Sequence, residues 1–327
     1  MSEPATYSPW VLSLAFEIDQ HCPGFCGEFF RASVERRQVF TAYLSAKPPS
    51  PPEMAEVGQF LLSADHQSIL SRAYPEVPSG LRGALRRAGR AAHERRFYSL
   101  LYELLSTPPH SESSRCISRL GSLDFSKLLI IRILPATICR ANVVESINRP
   151  SAAKDIVTGY RLLTSRGVDG ASLTAAIQQV RSERELSKVW NTWLLKAQAP
   201  PHPVPKNDCY LPVASTAGLN SLARRYQNCA RRFLTDLLDD EAGQAFAEAR
   251  HGNEGVVVHL EKESGKWRMA GLFGPRNARP SPAMREHVAE YLRNHGVKVG
   301  DRARPERSEW DALRRLASAP LFDFEFE

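Results

Sequence analysis

Apolar positions along this chain recur mostly at the three-and-four spacing of an α-helix, and one region shows the alternation of strands. Pro9 to Gln20 reads as a short helix, with Ser8 as its N-cap and Pro9 in the first turn. Gly24 to Leu44 continues as helix, with Phe25, Phe29, Phe40 and Tyr43 as its aromatic bulk. Lys47-Pro-Pro-Ser-Pro-Pro52 then stops it, because prolines remove backbone donors and clash with the preceding turn. Glu53 to Ala73, Leu81 to Leu105, Lys154 to Ser165 and Glu183 to Gln198 are further helical stretches. Ser122 to Val144 reads as a core helix that Pro135 kinks or ends.

The second half changes character. Leu219, Leu222, Tyr226, Cys229, Phe233 and Leu237 recur at spacings of 3, 4, 3, 4 and 4, which predicts one amphipathic helix with Cys229 on its apolar side. Glu254 to Lys262 and Lys266 to Phe273 alternate as a strand pair around Ser264-Gly265, where a tight turn belongs. Trp267, Met269, Gly271 and Phe273 are expected on one face of the second strand. Gly274-Pro-Arg-Asn-Ala-Arg-Pro280 leaves the hairpin, and Ser281 with Pro282 opens a last long helix closed by Gly296.

These elements predict a mainly α protein. Its N-terminal part is multi-helical, and its C-terminal part is a small α+β unit of helix, β-hairpin and helix. The expected domains are 1–199, a proline-rich linker at 200–206, and 207–327.

Charge is uneven. The formal net charge is +7, and residues 1–200 carry 24 Lys+Arg against 18 Asp+Glu, whereas 201–327 carry 19 against 18. On one continuous helix Arg82, Arg86 and Arg90 share a face, with Arg87 beside them and Arg95 and Arg96 beyond. Such a row suits the phosphates of DNA or RNA, and a solvated helix face is the alternative. The six scattered cysteines are too few for a disulfide scaffold. His21, Cys22 and Cys26 lack the second ligand pair of a structural zinc site, so neither metal nor cofactor is expected. No opening basic-then-apolar leader and no apolar run of about 20 residues is present, which points to a cytoplasmic protein without membrane contact.

The loop is the candidate binding element. Gly274, Arg276, Asn277 and Arg279 sit on a connection between two rigid elements, next to the N-H groups of a helix start. Cys229 reads first as a buried, inert thiol. As a nucleophile it requires a neighbouring base, for which His251 and His259 are candidates. Asn228-Cys229, then Val256-Val-Val-His-Leu260, Trp267-Arg-Met-Ala-Gly-Leu-Phe273 and Gly274-Pro-Arg-Asn277, with Pro280 before a helix, resemble the PcfJ-like domain. That family is encoded on conjugative plasmids and other mobile elements. The likeness covers about residues 217–295, and an acidic-glycine pair expected before Asn228 is missing. By position it carries over Asn228, Cys229, Gly274, Asn277 and Pro280, and it implies genomic context rather than a defined reaction.

Three functions are therefore in view. The first is a non-enzymatic, nucleic-acid-associated accessory protein of a mobile element. The second is an enzyme with Cys229 as nucleophile, His259 as base and the Arg276-Asn277 loop as anion binder. The third is an interaction scaffold that uses the alternating Phe322–Glu327 tail to dock a protein partner.

Overall fold

The computed structural model describes residues 8–106 and 111–299. The Phe322–Glu327 tail expected above, and residues 310–316, whose sequence reads as a last helix, lie outside the described residues. The described chain divides into two compact units, residues 8–164 with 169–191, and residues 165–168 with 192–299. The architecture is mainly α with one small antiparallel sheet, as the apolar spacing predicts.

The first unit is helical. Its elements are α1 (Pro9–His21), α2 (Phe25–Arg31), α3 (Val34–Ala46), α4 (Met54–Ser63), α5 (His66–Ala73), α6 (Leu81–Arg87) and α7 (Arg95–Ser106). They are followed by α8 (Glu112–Arg119), α9 (Phe125–Ile133), α10 (Ala141–Glu145), α11 (Pro150–Ser165), α12 (Gly170–Gln178) and α13 (Glu183–Leu194). Stretches that read as single helices are divided by polar caps. Ser33 accepts from the Arg36 amide to restart the chain as α3, and Asp65 accepts from the Ser68 amide to start α5. Phe25, Phe29 and Phe40 stack in the core, with ring centroids 6.2–6.3 Å apart.

The basic helix is likewise two helices. The chain leaves α6 after Arg87, takes a left-handed turn at Gly89 (φ 84°), and re-enters helix only at Arg95. Arg90 therefore does not continue the row of Arg82 and Arg86. Gln38 explains the break: its side-chain amide donates to the Gly89 and Ala91 carbonyls at 2.8 and 2.7 Å. It satisfies backbone groups that a helix would have satisfied itself.

In the second unit, β1 (Tyr210–Pro212), β2 (Gln244–His251), β3 (Glu254–Glu263) and β4 (Lys266–Phe273) form an antiparallel sheet in that order. Two helices, α14 (Thr216–Tyr226) and α15 (Pro282–Asn294), complete it. Alternation along the strands sends side chains to two faces. Ala245, Ala247, Ala249, Val256, Val258 and Leu260 pack with Met284, Val288 and Leu292 of α15. Phe246 and Val257 pack with Leu219, Leu222, Ala223 and Tyr226 of α14. The proline-rich stretch after Gln198 lies within this unit, and its Val204 is buried in the α15-side core.

Two local departures shape the site. Pairing runs His259 to Gly271 and then Leu260 to Met269, so Ala270 is an extra residue in β4. This bulge flips the alternation. Trp267, Met269 and Leu272 pack toward the α15 side, whereas Phe273 opens on the other face, so the expected common face of Trp267, Met269, Gly271 and Phe273 does not form. The second departure is the end of α14. Gln227 takes a left-handed conformation (φ 48°), the Asn228 N-H bonds the Ala223 carbonyl at 3.0 Å and the Gln227 N-H bonds that of Arg224 at 3.2 Å. The expected helix through Leu237 is thus replaced by a 3-10 turn, Cys229–Phe233, and a shorter one, Asp236–Leu238.

Candidate functional site

The early end of α14 leaves one end of the sheet uncovered. A cavity of about 290 Å³ opens there, bounded by the Asn228–Phe233 turn, by β2 to β4 and by Asn277. It brings together residues far apart in sequence: Asn228, Cys229, His259 and Asn277 all line it. Arg232 lines it too, with its guanidinium 5.0 Å over the Phe233 ring.

Cys229 is exposed, contrary to the buried thiol that the helical spacing predicts. The physical reason is the Gln227 turn, which rotates the following residues off the apolar stripe of α14. Asn228 holds the new direction: its side-chain oxygen accepts from the Ala230 amide at 3.1 Å and caps the 3-10 turn.

His259 is buried on the sheet floor. Its ring stacks on Phe246, with centroids 4.5 Å apart and planes 4° from parallel, and it lies 5.1 Å from the Phe233 ring. Its Nε2 lies within hydrogen-bond distance of the side-chain oxygen of Gln244. Glu261, beyond His259 on β3, is ion-paired with Arg268, which also meets Glu263 at 3.1 Å.

The loop from Gly274 is fastened at both ends. The Gly274 amide bonds the Ala278 carbonyl at 2.9 Å, and Nε of Arg276 donates to the Gln227 side chain at 2.8 Å. The latter bond joins the loop to the end of α14 and so holds the two walls of the cavity together. Arg276 (φ 55°) and Asn277 (φ 60°) are both left-handed. Among the described residues four non-glycines have positive φ, and three of them, Gln227, Arg276 and Asn277, lie in or directly beside these walls. Such backbone costs on the order of 1 kcal/mol or more per residue and persists only where its surroundings enforce it. Arg279 is exposed. The start of α15, expected to offer its N-H groups to an anion, is occupied from within: Ser281 caps it and donates its own amide to Glu254 at 2.9 Å.

A buried carboxylate orders the covered part of the same face. Glu248 receives Arg225 at 2.6 Å, Arg250 at 2.9 Å and the Tyr226 hydroxyl at 3.0 Å. Burial and then the Glu248 charge push the Tyr226 hydroxyl up to about 12. Gly255 makes this possible: a Cβ there would lie 2.4 Å from the Tyr226 oxygen. Sequence reasoning missed Gln244, Phe246 and Glu248 because β2 was not recognised. The signal present was Ala245, Ala247 and Ala249 alternating with Phe246 and Glu248.

The arginines expected to meet nucleic acid divide. Arg82 is ion-paired with Glu35, and their hydrogen bond holds the Glu35 carboxyl below its usual range. Arg87 donates to the Ile117 carbonyl at 3.1 Å, and burial lowers its pKa. Arg95 stands 4.8 Å over the Trp10 ring. Arg86, Arg90 and Arg96 are exposed.

Among the described residues no group of three or more His, Cys, Asp or Glu side chains is placed to hold a metal ion, and no helix is long and apolar enough to cross a membrane. Comparison with protein-family models, curated proteins and solved structures finds no match to this chain.

Proposed function

We propose that the second unit is a ligand-binding domain whose cavity works through Cys229 as a nucleophile. The observation that carries this reading is the meeting of Cys229, His259 and Asn277 in the walls of one cavity, although 30 and then 18 residues separate them in sequence. The thiolate form of Cys229 is the attacking group. His259, which lines the same cavity, is the base that takes the thiol proton, and the Asn277 amide and Arg232 guanidinium are donors toward an oxygen that gains negative charge. The enforced left-handed backbone of the walls supports the same reading.

The test is site-resolved alkylation of the native chain with iodoacetamide, read by peptide mass spectrometry. Cys229 should label faster than exposed Cys209 and far faster than buried Cys116 and Cys139. His259→Gln should slow Cys229 by about tenfold or more while Cys209 keeps its rate. Equal rates at Cys229 and Cys209, untouched by His259→Gln, would remove the nucleophile.

A second reading keeps the first unit as a nucleic-acid contact of a mobile-element accessory protein. Its support is the exposure of Arg86, Arg90 and Arg96. Three phosphate contacts give weak binding with a salt slope of roughly 2 to 3. Absence of binding to a DNA duplex or to single-stranded RNA at low salt would eliminate it.

A further inference from the structure

The two segments that flank the Cys229 cavity carry one sign of charge, while the lining itself holds Arg232 and one carboxylate, Glu261. Residues 226–233 and 274–280 hold four arginines, Arg231, Arg232, Arg276 and Arg279, and neither aspartate nor glutamate; Arg232 lines the cavity and the other three lie on the segments beside it. All four are exposed. The carboxylates on this face of the sheet are met elsewhere: Glu248 lies between Arg225 and Arg250, and Glu261 and Glu263 share Arg268. Three carboxylates, among them the cavity-lining Glu261, thus face three arginines, and Arg232 with the three flanking arginines stands in excess. The cavity floor is largely apolar, with Phe246, Val257 and Phe273 beside His259 and Gln244.

We propose that the ligand of this cavity is an organic anion, with a ring-sized apolar body over Phe246 and Phe273 and a carboxylate or phosphate at Arg232 and the rim. The inference rests on the cavity being a ligand site, as read above, and adds the class of ligand. A guanidinium meets either anion by charge-assisted hydrogen bonds, and a rim of one sign draws anions in from solution. The apolar floor selects against small inorganic anions, which offer it no surface to bury.

The experiment titrates the full chain with benzoate, phenyl phosphate and benzamide, following the backbone amide resonances of Asn228, Arg232 and Asn277. Saturable shifts are expected with the anions, and benzamide should bind at least about tenfold more weakly, in line with the loss of one charge-assisted contact. The preference should shrink as salt is raised from about 0.02 M to about 0.5 M, because screening shortens the reach of the rim charges. Arg232→Gln should remove most of it and leave benzamide unchanged. The ratio of phenyl phosphate to benzoate affinity identifies which anion the rim prefers. Benzamide binding as tightly as benzoate, or no anion moving these amides, would overturn the proposal. These outcomes are independent of thiol chemistry: benzoate binding beside an unreactive Cys229 removes only the nucleophile, and a reactive Cys229 without anion preference removes only this inference.

Discussion

The two faces of the second-unit sheet are built from the same four strands and come to opposite ends. On the α15 side, Met284, Val288 and Leu292 pack on the sheet, and Val256, Val258 and Leu260 are all fully buried in the same core. On the α14 side, the helix stops at Gln227, and the uncovered part of the sheet holds a histidine, a glutamine and a carboxylate where the other face holds valine and leucine. One face is a core, and the other is half core and half site. A helix that ends early is enough to make the difference.

Substitutions can test that contrast. Leu292→Ala should cost about 2–5 kcal/mol, the usual range for a buried leucine that leaves a cavity, read as a fall in the urea midpoint with unchanged slope. Gly255→Ala should cost roughly 1–3 kcal/mol by forcing Tyr226 off Glu248; a neutral result would show that the hydroxyl can move without loss. Tyr226→Phe removes only the hydrogen bond and should cost about 1 kcal/mol, since Arg225 and Arg250 still satisfy Glu248. Cys229→Ser, on the open side, should stay within about 0.5 kcal/mol of the parent. A larger loss would mean that the thiol is part of the packing after all.

A pH series reads the closed side. His202 packs edge-on to Tyr210, with ring centroids 5.8 Å apart, and burial holds its pKa below its ordinary value of 6.5. The folded state therefore binds fewer protons than the unfolded chain in the window just below that value. Its stabilising contribution is complete above pH 6.5 and is lost as pH falls toward the folded pKa. Urea midpoints should drop between neutral and mildly acidic pH, and His202→Asn should flatten that part of the profile.

Much of this was legible in the residue pattern, and the failures share a cause. The hairpin, its Ser264-Gly265 turn, the Ser281 cap and the Gly296 stop are local chemistry, and all four are present. Gly296 and Gln227 close their helices with the same left-handed geometry, but only glycine announces it. Gln227 adopts it because Asn228 caps the following turn and Arg276, 49 residues on, holds the glutamine side chain, a contact that no local window contains. The Ala270 bulge escaped for the same reason, since alternation continues in the sequence where pairing slips in space. Strand β2 was hidden by its alanines, which favour helix in isolation but here let α15 approach the sheet closely. Splitting of the arginine row at Gly89 depends on Gln38, 51 residues earlier. Local grammar located the walls of the site, and distant partners decided that the walls enclose a space.

The left-handed Gln227 also sets how adaptable that space is. Had the helix wound on for about three more turns, its own Phe233 and Leu237 would have lain along the apolar stripe and plugged the gap, giving a sealed sandwich with nothing to recognise. One backbone torsion therefore separates a container from a stopper. Related chains could widen, narrow or abolish the chamber by moving that single stopping point along the helix, without altering a strand.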